Sequence, residues 1–329
     1  MDFLPDGSIL ITERGGDLHA YKNGELSPPI TGVPDVFAKS QGGLFDVLLH
    51  PDFKQNQQLF LSFAFGDDTA NATRVVSAKL IDGQLTQLTT LFTASPFKDT
   101  PVHYGGRMAL MADNTLLLTT GDGFDYREKA QDLNNLLGKV IRLNLDGSIP
   151  ADNPFKGNDL GAEIYSYGHR NPQGLLFDKL RQQVILHEHG PAGGDEINFI
   201  LPGKNYGWPV ITYGKDYSGA SISPYTEYPG MEQPLLHWTP SIAPSGFAVY
   251  YGEAFKELSG SFLVGALAAK ELRLVYMKDD QVVAQASLLK ERELRIRDVR
   301  VGPDGAIYLL TDGEQGQLIR LTRLASPDA

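Results

Sequence analysis

Short apolar runs bounded by turn residues make up most of this chain, and three of them share one local pattern. Leu4-Pro5-Asp6-Gly7 leads into Ser8-Ile9-Leu10-Ile11-Thr12. Met111-Ala112-Asp113-Asn114 leads into Thr115-Leu116-Leu117-Leu118-Thr119, and Gly302-Pro303-Asp304-Gly305 into Ala306-Ile307-Tyr308-Leu309-Leu310-Thr311. Asp-Gly and Asp-Asn supply the positive φ that a tight hairpin needs, and each following run has strand length. A second element lies downstream of each unit: Asp17-Leu18-His19-Ala20-Tyr21, Lys139-Val140-Ile141-Arg142-Leu143 and Gln317-Leu318-Ile319-Arg320-Leu321. These alternate or run apolar, with a polar residue expected on the outward face. Hairpins recurring at roughly forty to fifty residues predict a propeller, and about six blades fit this length. The expected fold is all-β: a six-bladed β-propeller of four-stranded antiparallel blades, one domain over residues 1–329. Helical periodicity is confined to Tyr126–Leu137, where a short helix or helical turn is expected before Gly138.

Composition narrows the partners. The net charge of −11 argues against nucleic acid and against anionic membrane surfaces. With 42% hydrophobic residues a large core is available, so disorder is excluded. Zero Cys removes disulfides, zinc–thiolate sites and thiol catalysis together. The longest near-apolar run, Phe262-Leu263-Val264-Gly265-Ala266-Leu267-Ala268-Ala269, is far too short to span a bilayer, so no membrane insertion is expected. The chain opens directly on a strand–turn pattern, Asp2-Phe3-Leu4-Pro5-Asp6-Gly7, so no signal peptide is read within it; a cytosolic protein or an upstream leader outside this sequence are the two expectations.

Function is expected where strand ends and loops converge on the central channel. The richest such stretch runs from Tyr165-Ser166-Tyr167-Gly168-His169-Arg170-Asn171-Pro172-Gln173-Gly174 through His189-Gly190-Pro191 to Gly193-Gly194-Asp195-Glu196-Ile197-Asn198. It combines a cation, sharp turns with exposed carbonyls and a carboxylate pair, which an anionic cofactor and a calcium ion would both require. His103 sits beside the Gly105-Gly106 turn, with Asp122 at the end of the next strand. It reads either as a solvated loop histidine or as a general base oriented by a carboxylate. Arg295 and Arg297 alternate onto one side of a strand. They read either as partners of Glu291, Glu293 or Asp298, or as a clamp for carboxylates. Tyr213, Tyr217, Tyr225 and Tyr228 lie in a Gly/Ser/Pro-rich loop, where packing competes with sugar contact as an explanation. His169 and His189 read as loop-fixing residues.

Taken in order, these motifs resemble the soluble quinoprotein sugar dehydrogenases, in their bacterial aldose sugar dehydrogenase branch, which uses pyrroloquinoline quinone. The resemblance extends from Leu4-Pro5-Asp6-Gly7 to Gly316-Gln317-Leu318. It is carried by Gln41-Gly42-Gly43-Leu44, His103-x-Gly105-Gly106-Arg107, Gly168-His169-Arg170-Asn171-Pro172-Gln173-Gly174 and Gly190-Pro191. Asp195-Glu196-Ile197-Asn198, Asn205-Tyr206-Gly207-Trp208-Pro209 and Arg295-x-Arg297-Asp298 complete it. The resemblance implies oxidation of the anomeric carbon of an aldose to an aldonolactone, with His103 as base, Asp122 orienting it and Gln41 lining the sugar side. It places Arg170 at the quinone carbonyl and Asn171 beside it, with Lys270, Arg295 and Arg297 holding the cofactor's carboxylates. Gly190 and Pro191 would give carbonyls to a cofactor-bound Ca2+. Glu196, the Tyr206 carbonyl and Asp216 would serve a second, structural Ca2+. It also implies an electron acceptor whose identity is open, a periplasmic location, and a leader and first strand upstream of this sequence.

Two positions depart from the family pattern. Val102 stands where some members carry an acid contacting the cofactor, and Trp238 is offset from the family's aromatic position ahead of Pro240 and Pro244. Other readings share parts of the pattern: a sorbosone-type sugar aldehyde dehydrogenase, a Ca2+-dependent sugar lactonase, or a non-enzymatic propeller. The lactonase needs no cationic clamp, so Lys270, Arg295 and Arg297 weigh against it.

Overall fold

The structure, a computed structural model, describes residues 1–323. Six antiparallel sheets follow one another along the chain, five of four strands and a sixth of three. In every sheet, strand order follows chain order as a simple meander. The strands Leu44–Leu49, Gly105–Leu110, Pro172–Asp178, Pro244–Val249 and Ile296–Val301 open blades 2 to 6 and touch their neighbours in succession, so they line the axis. Blade 1 contributes the short strand Asp2–Phe3, next to blade 2, and the Met1 carbonyl accepts from Arg300 Nε of blade 6, closing the ring. The expected six-bladed β-propeller is the observed fold.

All three repeat units fall at the same place. Asp6-Gly7, Asp113-Asn114 and Asp304-Gly305 are the turns joining the first and second strands of blades 1, 3 and 6. In each, the Asp carboxylate accepts a backbone N–H two residues on, from Ser8, Thr115 or Ala306. This side-chain lock on the turn explains why Asp recurs there. The core is divided into wedges between neighbouring sheets. Phe60, Leu118, Ile141 and Ile164 pack between blades 2 and 3, and Leu117, Tyr165, Leu175 and Leu186 between blades 3 and 4. Removing one such leucine side chain would cost about 2–5 kcal/mol.

Two expectations change in detail. Lys139 and Arg142, read as outward-facing residues of a third strand, are buried. The Lys139 amine donates to the carbonyls of Lys129, Ala130 and Leu137, and Arg142 pairs with Asp113 and Asp152. The long connection after blade 3's second strand folds back over this edge, and polar groups pointing at it need partners. The helical turn expected within 126–137 is a 3-10 helix, Arg127–Gln131, whose carbonyl ends Lys139 satisfies. No helix among the described residues is long and apolar enough to cross a membrane.

Topology fixes where a site can form. The start of each first strand and the end of each second strand share one end of the propeller, because the two run antiparallel. In blades 2 to 6 the pairing of these strands shifts register near that end, between Leu44/Asp46, Leu118/Thr120, Pro172/Gly174, Pro244/Phe247 and Ile296/Asp298. Such bulges re-aim side chains beside active sites.

Candidate active site

His103 precedes the first strand of blade 3 and Asp122 follows its second strand, so the turn geometry brings them together. His103 Nδ1 donates to Asp122 Oδ1 at 2.7 Å, which leaves the lone pair on Nε2. Both residues are buried. The His103 backbone holds φ of 50°, a conformation costly for a side chain with a Cβ. It is held by its N–H bond to Gln41 Oε1 at 2.9 Å and by the close approach of Gly121. A Cβ on Gly121 would lie 2.1 Å from the His103 carbonyl oxygen, so glycine is required there. Burial pushes the His103 imidazole below its ordinary value; Asp122 opposes this, while Arg170 and Lys98 add to it. A neutral imidazole with a free Nε2, on an acid that steadies its cation, has the chemistry a general base needs.

Blade 4 supplies the next group. Arg170 and Asn171 precede its first strand, and Glu188, His189 and Gly190 end its second. Arg170 is buried, and its Nη1 donates to the carbonyls of His189 at 3.1 Å and Gly190 at 2.7 Å. Its Nε and Nη2 have no hydrogen-bond partner among the described residues. Asn171 Oδ1 accepts from the Gly105 N–H and from Gln173, while its amide nitrogen is unpaired among the described residues. His169 is fixed between Ser166 and Glu188, and His189 Nε2 donates to the Pro244 carbonyl. His189 is pushed down to about 3, first by burial, with Arg170, Arg297 and His103 contributing to the lowering, so it is neutral.

The basic residues of the last blades form a pair and an outlier. Arg295 and Arg297 straddle Asp312, which ends the hairpin of blade 6, at 2.9 Å and 3.2 Å. Their carboxylate partner is thus Asp312, not Glu291, Glu293 or Asp298. Asp298 instead accepts its own Val299 N–H. Arg295 also reaches the Leu267 carbonyl, and Arg297 reaches Ser245 Oγ. Lys270 is exposed, with φ of 52°, and makes no ion pair among the described residues.

The carboxylate pair Asp195-Glu196 divides its labour. Asp195 is buried and accepts from Gly190 N, Ser241 Oγ, Ile242 N and Ala243 N, pinning the Gly190 loop to blade 5. Glu196 lines one cavity with Arg170, Glu188, Gly190, Tyr206 and Trp208. Its carboxyl is pushed up to about 8, first by burial and then by Glu188 directly across the strand pair. Two acids forced together in a half-buried cleft are a favourable place for a cation. Pro191 is buried beside Gly190, and Asp216 stands on an exposed turn, its Oδ1 accepting from Ser218.

Residues 1–320 match the Glucose / Sorbosone dehydrogenase family. The chain belongs to that family. It is 43% identical to the aldose sugar dehydrogenase YliI of Escherichia coli K12, over 97% of this chain and 88% of that protein. It is 32% identical to quinoprotein glucose dehydrogenase B of Acinetobacter calcoaceticus, over 68% of this chain and 52% of that one. The PQQ-bound aldose sugar dehydrogenase of Streptomyces coelicolor superposes with a TM-score of 0.79 at 29% identity, covering 97% of this chain and 92% of that one. The protein is accordingly an oxidoreductase of the aldose sugar dehydrogenase type.

Within this dehydrogenase family frame, several site residues escaped sequence reasoning. Glu188 grips the Arg170 N–H at 2.5 Å and His169 at 2.9 Å, yet one acid at the end of an apolar strand carries no signal in sequence. Asp312 was legible only as the polar residue after a repeat strand. Phe124 is exposed, its ring edge-on to His103 at 5.2 Å and its backbone at φ of 69°. Of the loop tyrosines, Tyr217 approaches Arg170 at 6.0 Å, Tyr213 stacks on His237, and Tyr225 meets Tyr228 edge-on. Trp238 packs between blades 4 and 5 and bonds Gln285.

Proposed function

We propose that this chain is a single-domain quinoprotein that oxidises the anomeric carbon of an aldose to the aldonolactone, dependent on pyrroloquinoline quinone and Ca2+. The observation that carries the reading is the pairing of a free His103 Nε2 with a buried Arg170 whose remaining donors have no protein partner. When bound, pyrroloquinoline quinone supplies a two-electron hydride acceptor, made more electrophilic by Ca2+ acting as a Lewis acid. The donor set suits such a polyanion. Arg170 and the Asn171 amide stand on the blade 4 side, and Arg295 and Arg297 with Lys270 on the blade 5 and 6 side, where Asp312 holds the two guanidiniums together.

His103 Nε2 takes the proton of the anomeric hydroxyl as the anomeric hydrogen leaves with its electron pair, and the C–O bond becomes the lactone carbonyl. Asp122 stabilises the resulting imidazolium without accepting the proton. Gln41 is exposed and holds the His103 N–H with its Oε1, which leaves its amide NH2 available to a sugar hydroxyl. The Gly190 and Pro191 carbonyls would hold the cofactor's Ca2+. The Gly190 oxygen is already turned inward, onto Arg170. Glu196 and the Tyr206 carbonyl, with Asp216 drawn in from its turn, would hold the structural ion. The family resemblance supports a periplasmic setting, with an electron acceptor taking reducing equivalents onward.

Reconstitution with Ca2+ and pyrroloquinoline quinone, followed by dye reduction with a panel of aldoses and with sorbosone, tests the proposal. Aldose-dependent reduction requiring both additions, with lactone as product, is expected. Turnover of sorbosone alone, or hydrolysis of a sugar lactone without quinone, would overturn it.

A further inference from the structure

We infer that Trp208 is a positioning residue for the His103 base, acting through the second oxygen of Asp122; the inference rests on the assignment of His103 above. The Asp122 carboxylate is buried and takes three donors. His103 Nδ1 and the Phe124 N–H share Oδ1, and the Trp208 indole Nε1–H donates to Oδ2 at 2.7 Å. Oδ2 has no other partner among the described residues.

The indole arrives from a different blade, from the long connection that follows the third strand of blade 4. A buried indole needs some acceptor, and a nearby carbonyl would serve. This one is instead held to the carboxylate from several sides. Its backbone N–H donates to Gly168 O at 2.9 Å, and its carbonyl accepts Gln131 Nε2 at 2.8 Å. Gln131 is in turn locked to Asn205 by bonds in both directions. The ring faces the Arg170 guanidinium at 5.3 Å, so one side chain touches both the base's carboxylate and the principal cation of the site.

Electrostatics gives this contact a direction. While His103 is neutral, the Asp122 charge is balanced only by hydrogen bonds, and the indole N–H is at its most valuable. Once His103 is protonated, the imidazolium shares that charge and the N–H is worth less. The bond therefore favours the neutral, proton-accepting imidazole. The charged and titratable groups around His103 are Asp122, Arg170, Lys98 and the neutral His189. Arg170 and Lys98 act in the same direction as the indole, and Asp122 acts against it.

Trp208→Phe keeps the ring and removes the N–H. In the cofactor-free protein, NMR titration of the His103 imidazole should move up by about one pH unit. In the reconstituted enzyme kcat should fall roughly tenfold with KM little changed, and the acid limb of its pH profile should move up in parallel. Combined with Asp122→Asn, the substitution should add almost nothing, because the two act through one contact. An unmoved imidazole titration, or full additivity with Asp122→Asn, would overturn the inference and leave Trp208 as packing alone. If Trp208→Phe does not fold, the wild-type protein still decides. Trp208 and Trp238 are its only tryptophans, so the indole Nε1–H resonance of Trp208 can be followed directly. It should shift as His103 titrates, and a flat response refutes the coupling. If the wild type oxidises no sugar, the assignment of function falls, while the indole–imidazole coupling is still measured in the cofactor-free chain.

Discussion

Replacing Asp122 by Asn isolates the charge from the shape of the acid. The carboxylate accepts from three donors: His103 Nδ1 at 2.7 Å, Phe124 N at 2.8 Å and Trp208 Nε1 at 2.7 Å. An amide offers only one acceptor atom to these two sides. If its oxygen faces His103 and Phe124, its NH2 confronts the Trp208 N–H. If it is turned over, its NH2 confronts the Phe124 N–H and forces the His103 proton onto Nε2, where the sugar hydroxyl must be met. Either way a buried donor is left opposed, and the imidazolium formed during the reaction loses its counterion. A loss of about 10²–10⁴ in kcat is expected, equivalent to about 3–5 kcal/mol at the transition state. The sign on pH is set by the same contact. Asp122 raises the His103 pKa against burial, Arg170 and Lys98, so its removal should carry the acid limb of kcat/KM further down. The assay is dye reduction by the reconstituted enzyme between about pH 5 and 9, with quinone affinity measured separately by titration. A loss below about fivefold, or an acid limb that rises, would show that Asp122 neither orients nor charges the base.

Three further outcomes are expected. His103→Ala should bind quinone normally and turn over sugar at least about a hundredfold more slowly; near-normal turnover would remove His103 from the mechanism. Arg297→Glu should abolish quinone binding with the fold kept, read by titration alongside the melting curve, because an anion at this half-buried position would then face both Asp312 and the cofactor's carboxylates. Glu196 has its pKa raised from 4.5 to about 8, so the folded chain holds a proton that the unfolded chain releases between those values. Stability without metal should therefore fall as pH rises through that window, and Glu196→Gln should flatten the fall. With Ca2+, wild type should bind the ion without quinone and melt higher, while Glu196→Gln should not; an unshifted wild-type melt would make this loop an ordinary acidic turn.

The fold was legible because the hairpin turns are written in residues that only turns need. Asp6-Gly7, Asp113-Asn114 and Asp304-Gly305 each lock a turn locally, so their spacing reports the repeat directly. The side-chain direction of Lys139 was not legible, since it depends on how the long connection ahead of its strand folds over the blade edge. At the site, the His103–Asp122 contact could be read because each residue sits at a strand end beside glycine. The Asp312 bridge could not, because it joins ends of two strands whose register is set by the bulge at Ile296/Asp298. Trp208 stood in a recognisable motif, but its target lies 86 residues away and is chosen by packing between blades.

The shared end of the blades, where a first strand begins and a second strand finishes, works as a repeated socket for a basic and an acidic side chain. Blade 3 fills it with His103 and Asp122, blade 4 with His169 and Glu188, and blade 6 with Arg295 and Asp312. In the proposed mechanism the first pair would move a proton and the last would align charge, while the second braces a loop, although the backbone frame beneath them is alike. Blade 5 has the same socket with Ala243 and Leu267, joined only by the Leu267 N–H to the Ala243 carbonyl at 3.0 Å. Ala243 even keeps the φ of 50° seen at His103. Chemistry in this scaffold is thus exchangeable two side chains at a time, one blade at a time, while the wedges of core between the blades stay untouched.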